Sequence, residues 1–359
     1  MDELWTNLGP EVINISYTGS RSIIHRVIQI DFSSISAFLT GFSTYPQPLR
    51  LRLRIFTIFF LYKQTHQAVR KGELSTIMKL VFDKADLVKS VGIAMKAVSG
   101  KTTMPILECI LIDASSNVIK FTSNDMELGI ETIVTGMILE RGIVALDAKI
   151  FSEIVRKLPD NQVTIETDEN LVTTITCEKA KFNIPGQSGE DFSYLPILET
   201  SDCVSISQFT LKELIRQTIF SIAANENNKL MTGELFEIKD NTLRVVSLDG
   251  HRIAIRKIEL KDSYPDRKVV VPGKTLNEIS KILSGEMDDQ IDIYFSENHI
   301  MFKFDDTTVV SRLIDGEYFR IDQMLSSDYE TKVTINKKEF LSCIDRATLL
   351  VKEGDKKPI

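Results

Sequence analysis

The sequence predicts an α+β protein in which a strand, a helix and three further strands form a repeated unit, with two units in each domain. Three observations predict this class. A short alternating strand followed by an amphipathic helix recurs five times at nearly constant spacing. Between these helices the hydrophobic period changes to two, which is typical of half-buried antiparallel strands. The chain has 359 residues, too many for one ordinary core, which indicates two or three domains.

The five helices follow one another from residue 78 to the end of the chain. The apolar residues that open them are separated by 64, 60, 65 and 64 positions. Each is followed three or four positions later by a second apolar residue, the spacing that gives a helix one buried stripe. The opening residues are Leu87, Phe151, Leu211, Leu276 and Phe340, and the residues that follow them are Val91, Ile154, Ile215, Ile279 and Ile344.

The strands are predicted by the alternating segments between the helices. After the first and second helices these segments are LECILID, VIKFTSND, LGIETIV, QVTIETD, LVTTITCE and KFNIP. After the third and fourth they are GELFEIKD, LRVVSLDG, RIAIRKIEL, QIDIYFSE, HIMFKF and TVVSRLID. Turn-forming residues separate such segments, for example at 115–117 and 168–170. Each unit is therefore predicted to contain three antiparallel strands after its helix.

The repeat also predicts the domain boundaries. Because two units make one domain whose helices cover one face of its sheets, we expect a first domain at 78–200 and a second at 201–328. A third domain begins at 331 and contains one strand and one helix by residue 359. The sequence therefore predicts an incomplete third domain and a chain that is a fragment or a split gene product.

Residues 1–77 differ from the rest of the chain. They hold eight Lys/Arg and five Asp/Glu, whereas residues 78–359 hold 35 and 45. An Arg-rich leader is typical of a targeting peptide, but this one contains acidic residues and its apolar run lacks a small-residue cleavage site. We interpret it as upstream sequence translated from a misplaced start, with the targeting peptide as the alternative.

Composition excludes several classes of protein. Hydrophobic residues make up 43% and charged residues 26%, and the mean hydropathy is −0.01, the balance of a soluble globular chain. No stretch approaches the ~20 apolar residues of a membrane span. The cysteines form no CxxC pair, which argues against a disulfide scaffold or a zinc site and favours the cytoplasm. They are Cys109, Cys177, Cys203 and Cys343.

Positive charge is concentrated in the helices. Five helical windows (84–101, 149–157, 208–220, 274–283 and 337–346) together hold 14 Lys/Arg and six Asp/Glu, within a region of net charge −10. Exposed helices often carry lysines for solubility alone. A basic helical side opposite acidic sheets nevertheless suits a surface that faces phosphates, where exchangeable contacts hold a duplex without reading its sequence.

No catalytic motif is complete. The strings GKT at 100–102 and at 273–275 are similar to the end of a phosphate-binding loop, but that loop needs a glycine where this chain has Met95 and Lys268. HExxH, GxSxG and GxGxxG patterns are absent. We therefore expect no enzyme activity, no cofactor and no metal, and a metabolic enzyme is only a distant alternative.

Several strings resemble one protein family. They are TMPIL at 103–107, SLDGHRIA at 247–254, VPGK at 271–274 and SRLIDG at 311–316. Together with the repeat, they are similar to the bacterial DNA polymerase III beta subunit, the sliding clamp, over residues 78–359.

The resemblance implies a sliding-clamp fold and a non-enzymatic role in DNA replication. Two three-domain chains would join head to tail in a ring around double-stranded DNA, with helices inside and sheets outside. The homodimer would confer processivity by tethering the replicative DNA polymerase. A clamp loader and other replication and repair proteins that carry short peptide motifs would be its further partners. The alternative is a truncated clamp that forms no ring and acts as a peptide-binding module.

The resemblance also carries over two sets of site residues. The DNA-binding positions are Lys101, Lys149, Asn225, Lys229 and Lys274. The partner-peptide cleft, between the second and third domains, holds Met231, Leu248, Gly250, His251, Arg252, Ile253, Phe319, Gln323 and Met324. Phe319 and Gln323 depart from the proline and arginine that can occur there. From the residues alone, 249–252 is a plain Asp-Gly turn in which Arg252 pairs locally, and each lysine is a solvated helix end.

Overall fold

The structure is a computed structural model, and it describes residues 77–100, 102–198, 203–224, 228–325 and 330–349. All of these residues belong to one compact unit, Thr76–Ile359. The interpretation of residues 1–77 as upstream sequence falls, apart from Ile77, outside the described residues. The predicted DNA-binding residues Lys101 and Asn225 also lie outside them.

Fifteen strands are formed within the described ranges. The strands of the first half are β1 (Met78–Asp83), β2 (Cys109–Asp113), β3 (Ile119–Asn124), β4 (Leu128–Val134), β5 (Met137–Glu140), β6 (Ile143–Asp147), β7 (Gln162–Thr167), β8 (Val172–Cys177) and β9 (Ala180–Gln187). Those of the second half are β10 (Cys203–Ser207), β11 (Gly233–Leu248), β12 (Ile253–Pro272), β13 (Gln290–Phe295), β14 (His299–Phe304) and β15 (Thr307–Arg312).

The described residues also form six α-helices, five of which are the predicted ones. The predicted helices are α1 (Lys84–Ala94), α2 (Ala148–Lys157), α3 (Gln208–Thr218), α4 (Gly273–Ile282) and α6 (Lys337–Thr348), and the short helix α5 (Ile321–Met324) was not predicted. Side chains of Asp147, Ser207 and Asn336 accept hydrogen bonds from backbone N–H groups in the first turns of α2, α3 and α6. These caps determine where the three helices begin.

The predicted buried stripe is confirmed for four of these helices. Leu87, Phe151, Leu211 and Leu276 are completely buried. The side chain of Phe340 on α6 is 52% exposed, so the fifth helix buries no comparable stripe among the described residues.

Two strand predictions are wrong in detail. The segment KVTIN at 332–336 forms no strand, because no described strand lies beside it to complete its hydrogen bonds. Two pairs of segments predicted as separate strands form single strands: RIAIRKIEL and the short strand before the fourth helix form β12, and GELFEIKD and LRVVSLDG form β11. Its pairing with β12 continues through register shifts on either side of Asp240, which has a positive φ of 52°.

The strands assemble into two antiparallel sheets. Thirteen of them form one sheet in the order β10-β13-β14-β15-β4-β3-β2-β6-β9-β8-β7-β1-β5, and β11 pairs with β12 in the second. The halves of the chain meet where β4 pairs with β15, with Leu128 opposite Ser311 and Thr132 opposite Thr307. We call this pairing the β4–β15 seam. The hydroxyl groups of Thr132 and Thr307 are buried and lie 3.0 Å apart, within hydrogen-bond distance.

Two apolar cores lie on either side of the seam. One is formed by residues between 78 and 184, where α1 packs against α2, and the other mainly by residues between 204 and 313, where α3 packs against α4. Ala97, Leu128 and Ile130 from the first half are buried in the second core. The boundary between 200 and 201 stays a prediction, because residues 199–202 lie outside the described ranges.

Replacing Phe121 by alanine is expected to lower the free energy of unfolding by about 3–5 kcal/mol. The ring is completely buried and makes edge-to-face contacts with Phe82 and Phe151, at centroid distances of 6.0 and 6.2 Å. Urea unfolding measures the loss. Phe340→Ala is the matched control, and an equal loss in the two variants would contradict this description of the core.

Candidate nucleic-acid and peptide interface

The predicted DNA-binding lysines lie at helix ends and turns. Lys149 and Lys274 lie in the first turns of α2 and α4, and Lys229 opens a 3₁₀ turn, Lys229–Thr232, that leads into β11. All three side chains are exposed. Because α1 packs against α2 and α3 against α4, the repeat places two pairs of basic helices in the described part of the chain.

Part of the helical charge is neutralised locally. Ion pairs join Lys84 to Asp160, Arg216 to Glu213 and Lys281 to Glu278, each at 2.7 Å. Other helical cations form no ion pair among the described residues and carry the remaining positive charge. They are Lys89, Lys96, Lys149, Arg156, Lys157, Lys212, Lys337, Lys338 and Arg346.

Lys274 is held at the junction between the two halves of the chain. Its ammonium group pairs with the carboxylate of Asp125, whose side chain is only 5% exposed. The other oxygen of that carboxylate accepts hydrogen bonds from the backbone N–H groups of Glu127 and Leu128, at 3.0 and 2.7 Å. Since a buried carboxylate is costly to leave unpaired, Asp125 competes with any phosphate for Lys274.

Four residues of the predicted peptide cleft lie in one apolar cluster. The cluster is made of Leu235, Val246, Leu248, Val270, Tyr318 and Ile321, with Leu230, Met231, Ile253, Ile255, Ile314 and Phe319 packed against it. Gln323 and Met324 lie nearby in sequence on α5, and both are exposed. The structure therefore brings Met231, Leu248, Ile253 and Phe319 together. The polar Gln323 and the apolar Met324 follow Phe319 in the chain.

The remaining cleft residues form a tight turn between β11 and β12. Gly250 has a φ of 90°, which favours glycine. The Asp249 carboxylate accepts hydrogen bonds from the backbone N–H groups of His251 and Arg252 at 3.1 and 3.2 Å, and from the Arg252 side chain at 2.9 Å. These hydrogen bonds lower the pKa of Asp249, and the bond from the His251 N–H has the largest effect. The local pairing of Arg252 expected from the sequence alone is therefore present.

Sequence reasoning missed the aromatic neighbours of this cluster. The Arg252 guanidinium lies 5.8 Å from the ring centroid of Phe220, which is exposed. Tyr318 is buried and its hydroxyl donates a 3.4 Å hydrogen bond to the carbonyl oxygen of Val246. The signal for Tyr318 was its spacing of three residues from Ile321, which would place both side chains on one side of a helical turn.

A buried carboxyl group lies one residue before this cluster on β11. Glu234 is completely buried, and neither of its side-chain oxygens has a hydrogen-bond partner among the described residues. Burial raises its pKa to about 8, although the nearby Thr218 hydroxyl partly offsets this shift. Burial raises the pKa of Tyr318, and the Glu234 carboxyl adds a smaller increase. Glu234 therefore holds a proton at neutral pH.

Within the described ranges there is no cluster of His, Cys, Asp and Glu side chains that could hold a metal ion. The same ranges contain no helix long and apolar enough to cross a membrane.

Two family models match the chain. The model described as DNA polymerase III beta subunit, N-terminal domain, matches residues 78–196. The model described as DNA polymerase III beta subunit, central domain, matches residues 205–319. The two matches lie on the two sides of the β4–β15 seam.

Individual relatives are similar over the same part of the chain. A curated protein named Beta sliding clamp, from Bacillus subtilis (strain 168), is 38% identical over 287 residues, which are 77% of this chain and 75% of the relative. A crystal structure described as a DNA polymerase III beta subunit from Eubacterium rectale ATCC 33656 is 71% identical, with a TM-score of 0.75 over 77% of this chain and 76% of that one. The crystal structure of the DNA polymerase sliding clamp from Bacillus subtilis is 37% identical, with a TM-score of 0.74 over 77% of this chain and 75% of that one.

Replacing Glu234 by glutamine is expected to change how stability depends on pH. Since the folded pKa of about 8 lies above the ordinary value of 4.5, the folded chain keeps a proton that the unfolded chain has released. Glu234 therefore makes stability fall as pH rises from about 4.5 to about 8. Relative to the wild type, Glu234→Gln should gain on the order of a few kcal/mol across this range. Urea unfolding over the same pH range measures the difference.

The control for this experiment has the opposite sign. The side chain of Arg216 lowers the pKa of Glu213 to about 2, so the stability that Glu213 contributes is present above its unfolded pKa and is lost as pH falls. Glu213→Gln should be less stable than the wild type near neutral pH, and the difference should vanish in acid. Parallel pH profiles for Glu234→Gln and the wild type would overturn the assignment of a buried proton.

Proposed function

The chain belongs to the family of DNA polymerase III beta subunits, the beta sliding clamps, and we propose that it encircles duplex DNA and holds the replicative polymerase on its template. It is a DNA sliding clamp for DNA polymerase III. The observation that carries this conclusion is the pair of family matches joined by the β4–β15 seam. It makes the polymerase processive in the cytoplasm and catalyses no step itself.

Ring closure is supported by the way the repeat uses its last strands. The seam joins β4, the last of the three strands predicted after α1, to β15, the last strand after α4. The strands in the equivalent positions are β9 and the 253–259 part of β12. Residues 180–185 of β9 pair with β8, and residues 253–259 pair with β11. Among the described residues no strand pairs with the other edge of either segment.

Those free edges favour a head-to-tail ring. An unpaired strand edge readily pairs with a strand from another chain. If each junction repeats the seam, a strand equivalent to β4 pairs with a strand equivalent to β15 at every junction. β9 ends the second unit of its domain, as β15 does, and would pair with a strand equivalent to β4. β12 continues the first unit of its domain, as β4 does, and would pair with a strand equivalent to β15. Two chains of three such domains each would close such a ring as a homodimer.

Contact with DNA is proposed for the unpaired cations of the helices. Lys149 is exposed in the first turn of α2 and is free of ion pairs among the described residues. Phosphate contacts from such lysines are weak individually and can be exchanged, so a closed ring stays on the duplex while it slides. Lys101, Asn225 and Lys229 are proposed for the same surface, and Lys274 contributes when a phosphate competes successfully with Asp125.

Partner binding is proposed for the apolar cluster beside the Asp249–Ile253 turn. Met231, Leu248, Ile253 and Phe319 supply apolar surface, and the exposed His251 supplies a polar group that would orient a peptide. A short segment of the replicative polymerase, the clamp loader or a repair protein would bind there. One surface of this kind suits many partners in turn, as a clamp requires.

The protein, loaded by the clamp loader of the same organism, is expected to remain on closed circular DNA and to be lost when the circle is cut. A topological link needs no tight contact, so linearisation alone should release the protein. Gel filtration before and after cutting measures retention, and the size of the free protein gives its oligomeric state. Equal retention on linear and circular DNA, or a monomer that never loads, would contradict the ring and favour a peptide-binding module.

Lys149→Ala is expected to weaken binding to linear duplex DNA. Each lost phosphate contact lowers the slope of log affinity against log salt by about 0.9. Fluorescence anisotropy at several salt concentrations measures this slope. Lys239→Ala is the matched control, because Lys239 is an exposed lysine on strand β11 rather than on a helix. Equal slopes for the two variants would show that Lys149 does not face the duplex.

A further inference from the structure

We propose that Arg244 is a positioning residue of the partner-peptide cleft, acting through Asp322 on the segment that carries Phe319, Gln323 and Met324. We call residues 313–325 the cleft strap. The inference rests on the proposed function, because it assumes that these strap residues bind partner peptides. It assigns the task of keeping the strap in place to an ion pair between the largely buried Arg244 and the exposed Asp322.

Arg244 lies at the centre of a network of charges. Its guanidinium donates hydrogen bonds to Glu237 at 3.2 Å and to the two Asp322 oxygens at 3.3 and 2.9 Å. Lys268 pairs with the second oxygen of Glu237 at 2.7 Å. The Arg244 side chain is only 13% exposed, whereas that of Asp322 is 83% exposed. The network therefore joins β11 and β12 to the strap through a carboxylate that projects from α5.

The first half of the strap has backbone ties to the sheet. The backbone N–H of Leu313 donates to the carbonyl oxygen of Asn298, and that of Ile314 to Val270, both at 2.9 Å. The hydroxyl of Tyr318 donates to Val246. These bonds fix the strap as far as residue 318.

The second half of the strap is tied differently. From residue 319 onward its backbone hydrogen bonds stay within the strap, as in the bond from the Ile321 N–H to the Phe319 carbonyl oxygen at 2.9 Å. Among the described residues, the pair of Arg244 with Asp322 is the polar contact that ties this half to the sheet. The remaining attachment is apolar, through Phe319 and Ile321.

A pocket that is open to solvent lies between the strap and the sheet. Its volume is about 570 Å³, and it is lined by Leu235, Val270 and Arg244 from the sheet and by strap residues that include Phe319 and Gln323. Apolar contact alone therefore leaves room for α5 to shift. The bidentate pairing of Arg244 fixes both the distance and the orientation of α5, because a guanidinium and a carboxylate meet in one plane.

The consequence for binding is preorganisation. Gln323 and Met324 follow Asp322 directly, so the ion pair holds them in one conformation before a peptide arrives. Without it, binding would have to order α5, and that cost would appear as lost affinity.

The experiment compares two carboxylates of the same strap. Asp322→Asn removes the anchor at an exposed position, and Asp315→Asn makes the same chemical change at an exposed residue that forms no ion pair among the described residues. The probe is the tightest binder for the wild-type chain among overlapping short peptides that tile the replicative polymerase of the same organism. Asp322→Asn should bind it about tenfold more weakly, equivalent to about 1.4 kcal/mol, and Asp315→Asn as well as the wild type does.

Three further measurements separate positioning from a general structural effect. Asp322→Glu, which keeps the carboxylate, should recover most of the affinity, and the double variant Arg244→Gln/Asp322→Asn should bind no more weakly than Arg244→Gln alone. In the free protein, hydrogen exchange of the 319–325 amides should be faster in Asp322→Asn than in Asp315→Asn.

The outcomes are distinguishable. Wild-type protein that binds none of the peptides would overturn the proposed cleft itself, and this inference with it. Wild-type binding together with equal affinities and equal exchange rates for Asp322→Asn and Asp315→Asn would overturn the role of Arg244 alone.

Discussion

The pairing of β4 with β15 is the constraint on which the rest of the structure depends. It joins the two halves of the chain, each with its own core, through one continuous antiparallel sheet, and it places Leu128 and Ile130 of the first half in the second core. Because the sheet is continuous, the paired helices cover its face. The positions of the basic helical residues are therefore set by the sheet rather than by contacts that these residues make themselves. The same pattern, in which the last strand of one unit pairs with the last strand of another, leaves residues 180–185 of β9 and 253–259 of β12 with open edges, and a ring made of repeated units requires such edges.

Two long-range ion pairs join parts of the chain that are far apart in sequence. Asp125 holds Lys274 beside the seam, and Arg244 holds Asp322 on the short helix α5. In each pair one side chain is largely buried and the other is mostly exposed, so the buried charge is compensated while its partner stays accessible. This matters for the proposed peptide cleft, which lies where β11 and β12 meet the cleft strap. A peptide cleft beside a loosely packed segment keeps its shape only if something fixes that segment.

Much of the fold could be predicted from the sequence, because the repeat is strong and the helix period is regular. Four helices bury the predicted residues, but the exposed Phe340 on the fifth shows that an apolar stripe does not specify what will cover it. The strand at 332–336 was predicted from its alternation and did not form, since a strand also needs a neighbour. For the site, the family resemblance supplied positions that the residues alone could not. Neither source could reveal that Lys274 is paired or that Arg244 reaches Asp322, since both contacts join residues more than seventy positions apart.

The most direct test of the account is an electron-microscopic image of the purified protein. If the seam is repeated at every junction, class averages will show a closed ring with a central hole wide enough for duplex DNA and with two-fold symmetry. Compact particles without a hole would contradict the claim that the open edges of β9 and β12 form further junctions of a closed ring.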